Sequence, residues 1–155
     1  MNWTPTRAKL LLRFYGPYFG AGVKITHISP DWRELRVEMK LRWYNRNIMG
    51  TQFGGSLYSM IDPHLMLLLM QLLGTEYTVW DKGAEIDFVR PGKGTVASTI
   101  TISDAELADI LSNTADGRKY LPEFHLKILD EEGNVVAKVK KVLYIRRKKA
   151  QGLLL

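Results

Sequence analysis

Between Ser56 and Leu73 the chain is apolar on nearly every side, and this segment constrains the fold more than any other. A helix without a polar face has no place on a surface, so other elements must enclose it. A bilayer is a poor enclosure here. Asp62, Pro63, His64 and Gln71 interrupt the segment, and the unbroken run Leu65–Met70 is far short of the roughly 20 residues a span needs. Pro63 removes a helical donor and is expected to kink the helix just after Asp62.

The flanking sequence supplies the enclosure. Leu35, Val37, Met39, Leu41 and Trp43 alternate with Glu34, Arg36, Glu38, Lys40 and Arg42, the period-two pattern of an antiparallel strand with one wet face. Val23–Ser29 reads as a strand closed by Pro30 and Asp31. After Gly74, strand signals recur over Thr78–Val89, Gly94–Ile102, Leu121–Asp130 and Val135–Arg146, with Glu131-Glu132-Gly133-Asn134 turning the last two into a hairpin. Thr4–Tyr15 predicts an amphipathic helix that Gly16, Pro17, Gly20 and Gly22 terminate, and Ser103–Asp116 predicts a short capped helix. Tyr44–Gly55 is a polar loop leading into the apolar helix. The arrangement that satisfies these patterns is α+β: one long, curved antiparallel sheet wrapped around one central apolar helix. At 155 residues a single domain over 1–155 is expected, with residues 1–20 as a helical lead-in and 147–155 as a basic tail.

Composition narrows the chemistry. Without cysteine there is no disulfide, thiol nucleophile or iron–sulfur site. The formal charge of +6 favours anionic partners. Much of the excess lies in Lys138, Lys140, Lys141, Arg146, Arg147, Lys148 and Lys149, which reads as a solvated strand end. Nothing near the N-terminus reads as a signal peptide, so a cytoplasmic location is expected. His27, His64 and His125 fall on separate elements, so neither a metal nor another cofactor is expected. The aromatic-basic stretch Arg42-Trp43-Tyr44-Asn45-Arg46 lacks a recognition pattern, and no nucleic-acid partner is expected.

Asp62 stands out as an ionisable group in the most apolar helix, where an unpaired charge costs several kcal/mol, roughly. Such a carboxylate can serve as a general base. Gly54 and Gly55 open the same helix and offer uncovered backbone N–H groups for a developing oxyanion. The pairing suits acyl transfer.

The stretch from Asn47 through Phe53-Gly54-Gly55 to Asp62 resembles the hotdog-fold thioesterases, particularly the phenylacetate-type group. Phe88-Val89-Arg90-Pro91-Gly92-Lys93-Gly94 looks like the strand and turn that follow the helix there. Asp62-Pro63 and Val79-Trp80-Asp81-Lys82 look closest to a bacterial subgroup of hotdog proteins without an assigned substrate. The resemblance implies a hotdog fold and hydrolysis of a small or medium acyl- or aryl-CoA thioester. It places Asp62 as the catalytic carboxylate, the Gly55 N–H on the thioester carbonyl and Asn47 beside the attacking water. Phe53, Gly54, Met66 and Phe88 would line the acyl site, with Met60 in the same wall. Arg90 and Lys93 would meet the coenzyme A phosphates. Two positions depart from the family pattern: Phe53 stands where many relatives have His, and Met66 where relatives often have Ser or Thr. Both make the site drier, which motivates a second reading as an acyl-CoA-binding module that does not cleave. A hydratase on this fold needs an Asp/His pair, and His64, two positions from Asp62, should point elsewhere. The family resemblance also implies a homodimer or a dimer of dimers.

Overall fold

The computed structural model describes residues 3–148. Thr4 caps α1 (Pro5–Arg13), its hydroxyl accepting from the Arg7 N–H. Gly16 and Pro17 do not end helical structure, as the sequence suggests. They open a second short helix, α2 (Gly16–Ala21), in which Pro17 sits in the permitted first turn. Gly22, at φ +78°, then ends it in the left-handed region. The strands follow as β1 (Val23–Ile28) and β2 (Glu34–Lys40). The apolar segment comes as two helices, α3 (Gly54–Ser59) and α4 (His64–Leu73). After it come β3 (Tyr77–Phe88), β4 (Thr95–Thr101), α5 (Asp104–Thr114), β5 (Lys119–Tyr120), β6 (Glu123–Asp130) and β7 (Val135–Arg147).

One antiparallel sheet runs in the order β1-β2-β4-β6-β7-β3, with β5, a strand the sequence does not announce, pairing beside β7. The alternation holds through β2, where Leu35, Val37 and Met39 are completely buried while Arg36, Glu38 and Lys40 face solvent. It stops with the strand at Lys40: Leu41 is half-buried and Trp43, expected inward, is 80% exposed. Opposite them Val96, Ser98 and Ile100 of β4 pair in register and are also buried. The helical segment fills the concavity, with Met60, Ile61, Leu65, Leu68 and Leu69 at zero exposure. Gly54–Leu73 is long and apolar enough to cross a bilayer by length and composition alone. Here it is broken at residues 60–63 and enclosed by protein. The kink expected at Pro63 is thus a full break, with Asp62 on the turn between α3 and α4.

The two edges of the sheet differ. α1 packs along β1, and Lys9 Nζ donates to the Thr26 carbonyl at 3.1 Å, which blunts that edge. Among the described residues β3 pairs only with β7, leaving a twelve-residue strand edge uncovered. Of the basic tail expected over 147–155, Arg147 closes β7 and Lys148 is tied back to the α4–β3 turn, its Nζ donating to Thr75 at 2.7 Å. Residues 149–155 lie outside the described residues.

Candidate active site

Asp62 is not alone. Its Oδ1 lies 2.7 Å from Nζ of Lys141, and the same ammonium lies 2.6 Å from Oδ1 of Asp81 on β3. Lys141 was expected among solvated strand-end charges, yet it is completely buried. Its position explains this: it is in phase with Val139, Leu143 and Ile145, all inward-facing on β7. Asp81 stands two residues after the buried Val79, on the same face of β3, just before the register shifts at Gly83. The period-two pattern was the available signal for both residues, and their charge obscured it.

Tyr58, one helical turn before Asp62, completes the cluster. Its hydroxyl donates to Asp62 Oδ1 at 3.4 Å and accepts from Lys141 at 3.3 Å. Every protein donor found on the Asp62 carboxylate therefore reaches Oδ1, and among the described residues none reaches Oδ2. The Asp62 side chain keeps 39% of its exposure, so Oδ2 has access to water. Burial alone would lower the Lys141 ammonium's pKa, but its bonds to Asp62 and Asp81 outweigh that and hold it above the ordinary lysine value. Burial pushes the Asp81 carboxyl up, Lys141 pulls it down, and the neighbouring Asp62 charge raises it again. Two carboxylates thus share one fixed cation.

The backbone at Asp62 is held separately. Tyr18 of α2 donates its hydroxyl to the Asp62 carbonyl at 3.0 Å and lies 2.8 Å from Nε2 of His64. His64 is fully buried, and burial pushes its imidazole down to about 4, so it is neutral at physiological pH. It takes no part in a carboxylate–histidine pair.

The residues expected to bind substrate divide into two groups. Asn47, Phe53, Gly54, Phe88, Arg90 and Lys93 line one open groove of about 780 Å³. Its walls meet because Gln52 Nε2 donates to the carbonyls of Met39 and Gly94, each at 3.2 Å, tying the loop before α3 to the turn after β3. The α3 N-terminus lies between two aromatic rings. A Cβ on Gly54 would come within 2.9 Å of the Phe88 ring, and one on Gly55 within 2.5 Å of the Phe53 ring. Only glycine permits this approach. No side chain caps this helix end.

Met66 packs against the core and Met60 is completely buried, and neither lines the groove. The Asn47 side chain is engaged within its own loop. Oδ1 accepts from the Met49 and Thr51 N–H groups, and Nδ2 donates to Thr51 Oγ1 at 3.0 Å. Asp62 is not in the groove wall either. Seven residues separate Gly55 from Asp62, and the helix breaks between them, with Asp62 on the turn after α3.

Residues 6–145 match the model of the family described as a domain of unknown function, DUF4442, and the chain belongs to that family. Solved structures share its hotdog architecture. A Pseudomonas aeruginosa protein described as a probable thioesterase superposes with a TM-score of 0.83 at 18% identity, over 94% of this chain and 99% of that one. A Haemophilus influenzae thioesterase gives 0.69 at 13% identity, over 98% and 96%. A mutant of the phenylacetic acid degradation protein PaaI from Thermus thermophilus gives 0.56 at 20%, over 82% and 96%. No curated protein matches the chain.

Proposed function

Taking a DUF4442 member on a hotdog frame as the premise, we propose that this protein is an acyl-CoA thioesterase in which Asp62 activates water. The observation that carries the reading is the asymmetry of the Asp62 carboxylate, with Oδ1 bonded to buried Lys141 and Oδ2 without a donor among the described residues. In the reaction Oδ2 accepts a proton from water as the hydroxyl oxygen attacks the thioester carbonyl carbon. The carbonyl oxygen becomes an oxyanion against the Gly55 N–H. As the intermediate collapses the C–S bond breaks, and the proton held by Asp62 passes to the departing thiolate. The products are the free acid and the coenzyme A thiol, and Asp62 is again ionised.

The absence of Asp62 from the groove that Asn47, Phe53 and Gly54 line supports a composite site. Pairing two copies along the open β3 edge about a two-fold axis would cover that edge and bring Asp62, next to β3 through Asp81, toward the partner's groove. Asn47 shapes the loop that carries Phe53 and Gly54 to that site. Arg90 and Lys93 on the groove supply positive charge for the coenzyme A phosphates, and Phe53 and Phe88 supply apolar contact for the acyl or aryl group.

A second reading, an acyl-CoA-binding module, is favoured by one observation: the Phe53 ring stands against Gly55, beside the amides that would hold the oxyanion. Assaying the protein over acyl- and aryl-CoA thioesters separates the two. We expect hydrolysis that falls by about 10²–10⁴-fold in Asp62→Asn, the range for a positioned acid–base group. Wild-type turnover in a folded Asp62→Asn protein would remove the catalytic role, and tight binding of acyl-CoA without turnover would establish the second reading.

A further inference from the structure

The first acidic residue in the chain is Asp31, so the preceding thirty residues carry Arg7, Lys9, Arg13 and Lys24 with no compensating carboxylate. They also carry a cluster of exposed apolar side chains outside the groove. Ala8 of α1 is fully buried against the core, whereas Leu10, Leu11 and Phe14 are 58%, 55% and 74% exposed. Leu10 and Phe14, four residues apart, share the outward face. Arg7 lies on one flank of that ridge and Lys9 and Arg13 on the other, as helical spacing requires. Phe19 on α2 extends the exposed apolar surface at 77%. Between α1 and β1 runs a groove of about 370 Å³ lined by Leu10 and Ile25 together with Lys9, Arg13 and Lys24.

We infer that the α1–α2 segment is a docking surface for an anionic phospholipid bilayer, with Leu10, Phe14 and Phe19 entering the interface and Arg7 and Arg13 meeting the headgroups. The charge distribution selects this occupant. The centre of the ridge is apolar and the cations flank it, the order expected of a helix lying in a membrane interface. A nucleic-acid surface would put the cations at the centre. Lys24 contributes less, because Glu38 faces it across the β1–β2 pair. Nor is the ridge at the edge where two copies would pair: α1 covers β1, and the open edge is β3, at the opposite end of the strand order. The positions tested below lie on α1 and its C-cap, whereas the contact with the Asp62 carbonyl is made by Tyr18 of α2.

Sedimentation with vesicles tests this without any assay of turnover. The full-length protein should pellet with phosphatidylcholine vesicles containing a quarter phosphatidylglycerol and remain soluble with pure phosphatidylcholine. Leu10→Ser/Phe14→Ser should weaken binding by about tenfold or more. Arg7→Gln/Arg13→Gln should weaken it by about fivefold per charge, and added salt should mimic that loss. All four positions are exposed, and circular dichroism and thermal melts check that both variants fold. Failure of the wild type to pellet with the anionic vesicles overturns the inference. So does vesicle binding that both double variants retain. A wild-type assembly that Leu10→Ser/Phe14→Ser dissociates, with no vesicle binding, assigns the ridge to a second copy and overturns it as well.

Discussion

Replacing Lys141 with Met keeps an unbranched side chain of similar length in the β7 core and removes the cation between Asp62 and Asp81. Two carboxylates then face each other with nothing between them, and the pair is expected to retain one proton to higher pH. Their mutual repulsion is already present in the wild type, so what is lost is the attraction of the ammonium. Opposite unit charges about 4 Å apart interact by roughly 4 kcal/mol at an effective dielectric of about 20. Because the Asp62 side chain is 39% exposed, solvent screening reduces this to about a third, near 1.4 kcal/mol, or about one pH unit. The other groups facing the pair do not titrate in its place. Tyr58 and Tyr18 are both raised, chiefly by burial, and His64 is held neutral. We therefore expect the acid limb of kcat/KM to move up by about one pH unit in Lys141→Met, measured by thiol release between pH 4 and 8. Some stability should be lost too, since an unpaired carboxylate remains near the core. Lys141→Met/Asp81→Asn removes one charge of each sign, leaves the cluster's net charge at −1, and should recover much of that stability. An acid limb that stays in place in a folded Lys141→Met protein would refute the idea that this lysine holds the carboxylate pair ionised.

Further outcomes follow from the same geometry. His64 is neutral when folded, with its imidazole near 4 against the ordinary 6.5, so the unfolded chain binds more protons between those values and stability should fall as pH drops from about 6.5 to 4, by at most about 3 kcal/mol. Chemical denaturation across that range should show a shallower acid loss in His64→Gln than in the wild type, and parallel curves would disprove the assignment. Arg90→Ala/Lys93→Ala should raise KM for acyl-CoA more than it lowers kcat, with a smaller difference at high salt. An unchanged KM at both ionic strengths would show that these are ordinary turn charges. Co-refolding inactive Asp62→Ala and Asn47→Ala chains should return about a quarter of wild-type activity, because about half the dimers are mixed and each has one intact site of two. Exchange of subunits without recovery would place acid and loop in the same chain's site.

The enclosure was legible in the sequence because burial has a local period. Leu35, Val37 and Met39 announce an inward strand face, and a segment apolar all round announces a central element. Gly54-Gly55 and Asp62 were legible because their departure from that pattern is itself local. The same rule placed Lys141 inward, in step with Val139 and Leu143, but a basic sequence neighbourhood outweighed it. What no local window contains is the partner. Asp62 and Lys141 are 79 residues apart in sequence, and only the register of β3 on β7 and the seating of the α3–α4 turn on the sheet bring both carboxylates to one ammonium. Likewise, Pro63 signals an interruption, but whether the helix bends or stops depends on what receives the turn. Tyr18, on a helix hidden by its own glycines and proline, holds the Asp62 carbonyl there. Periodicity determines which way a residue faces, whereas long-range packing determines what it meets.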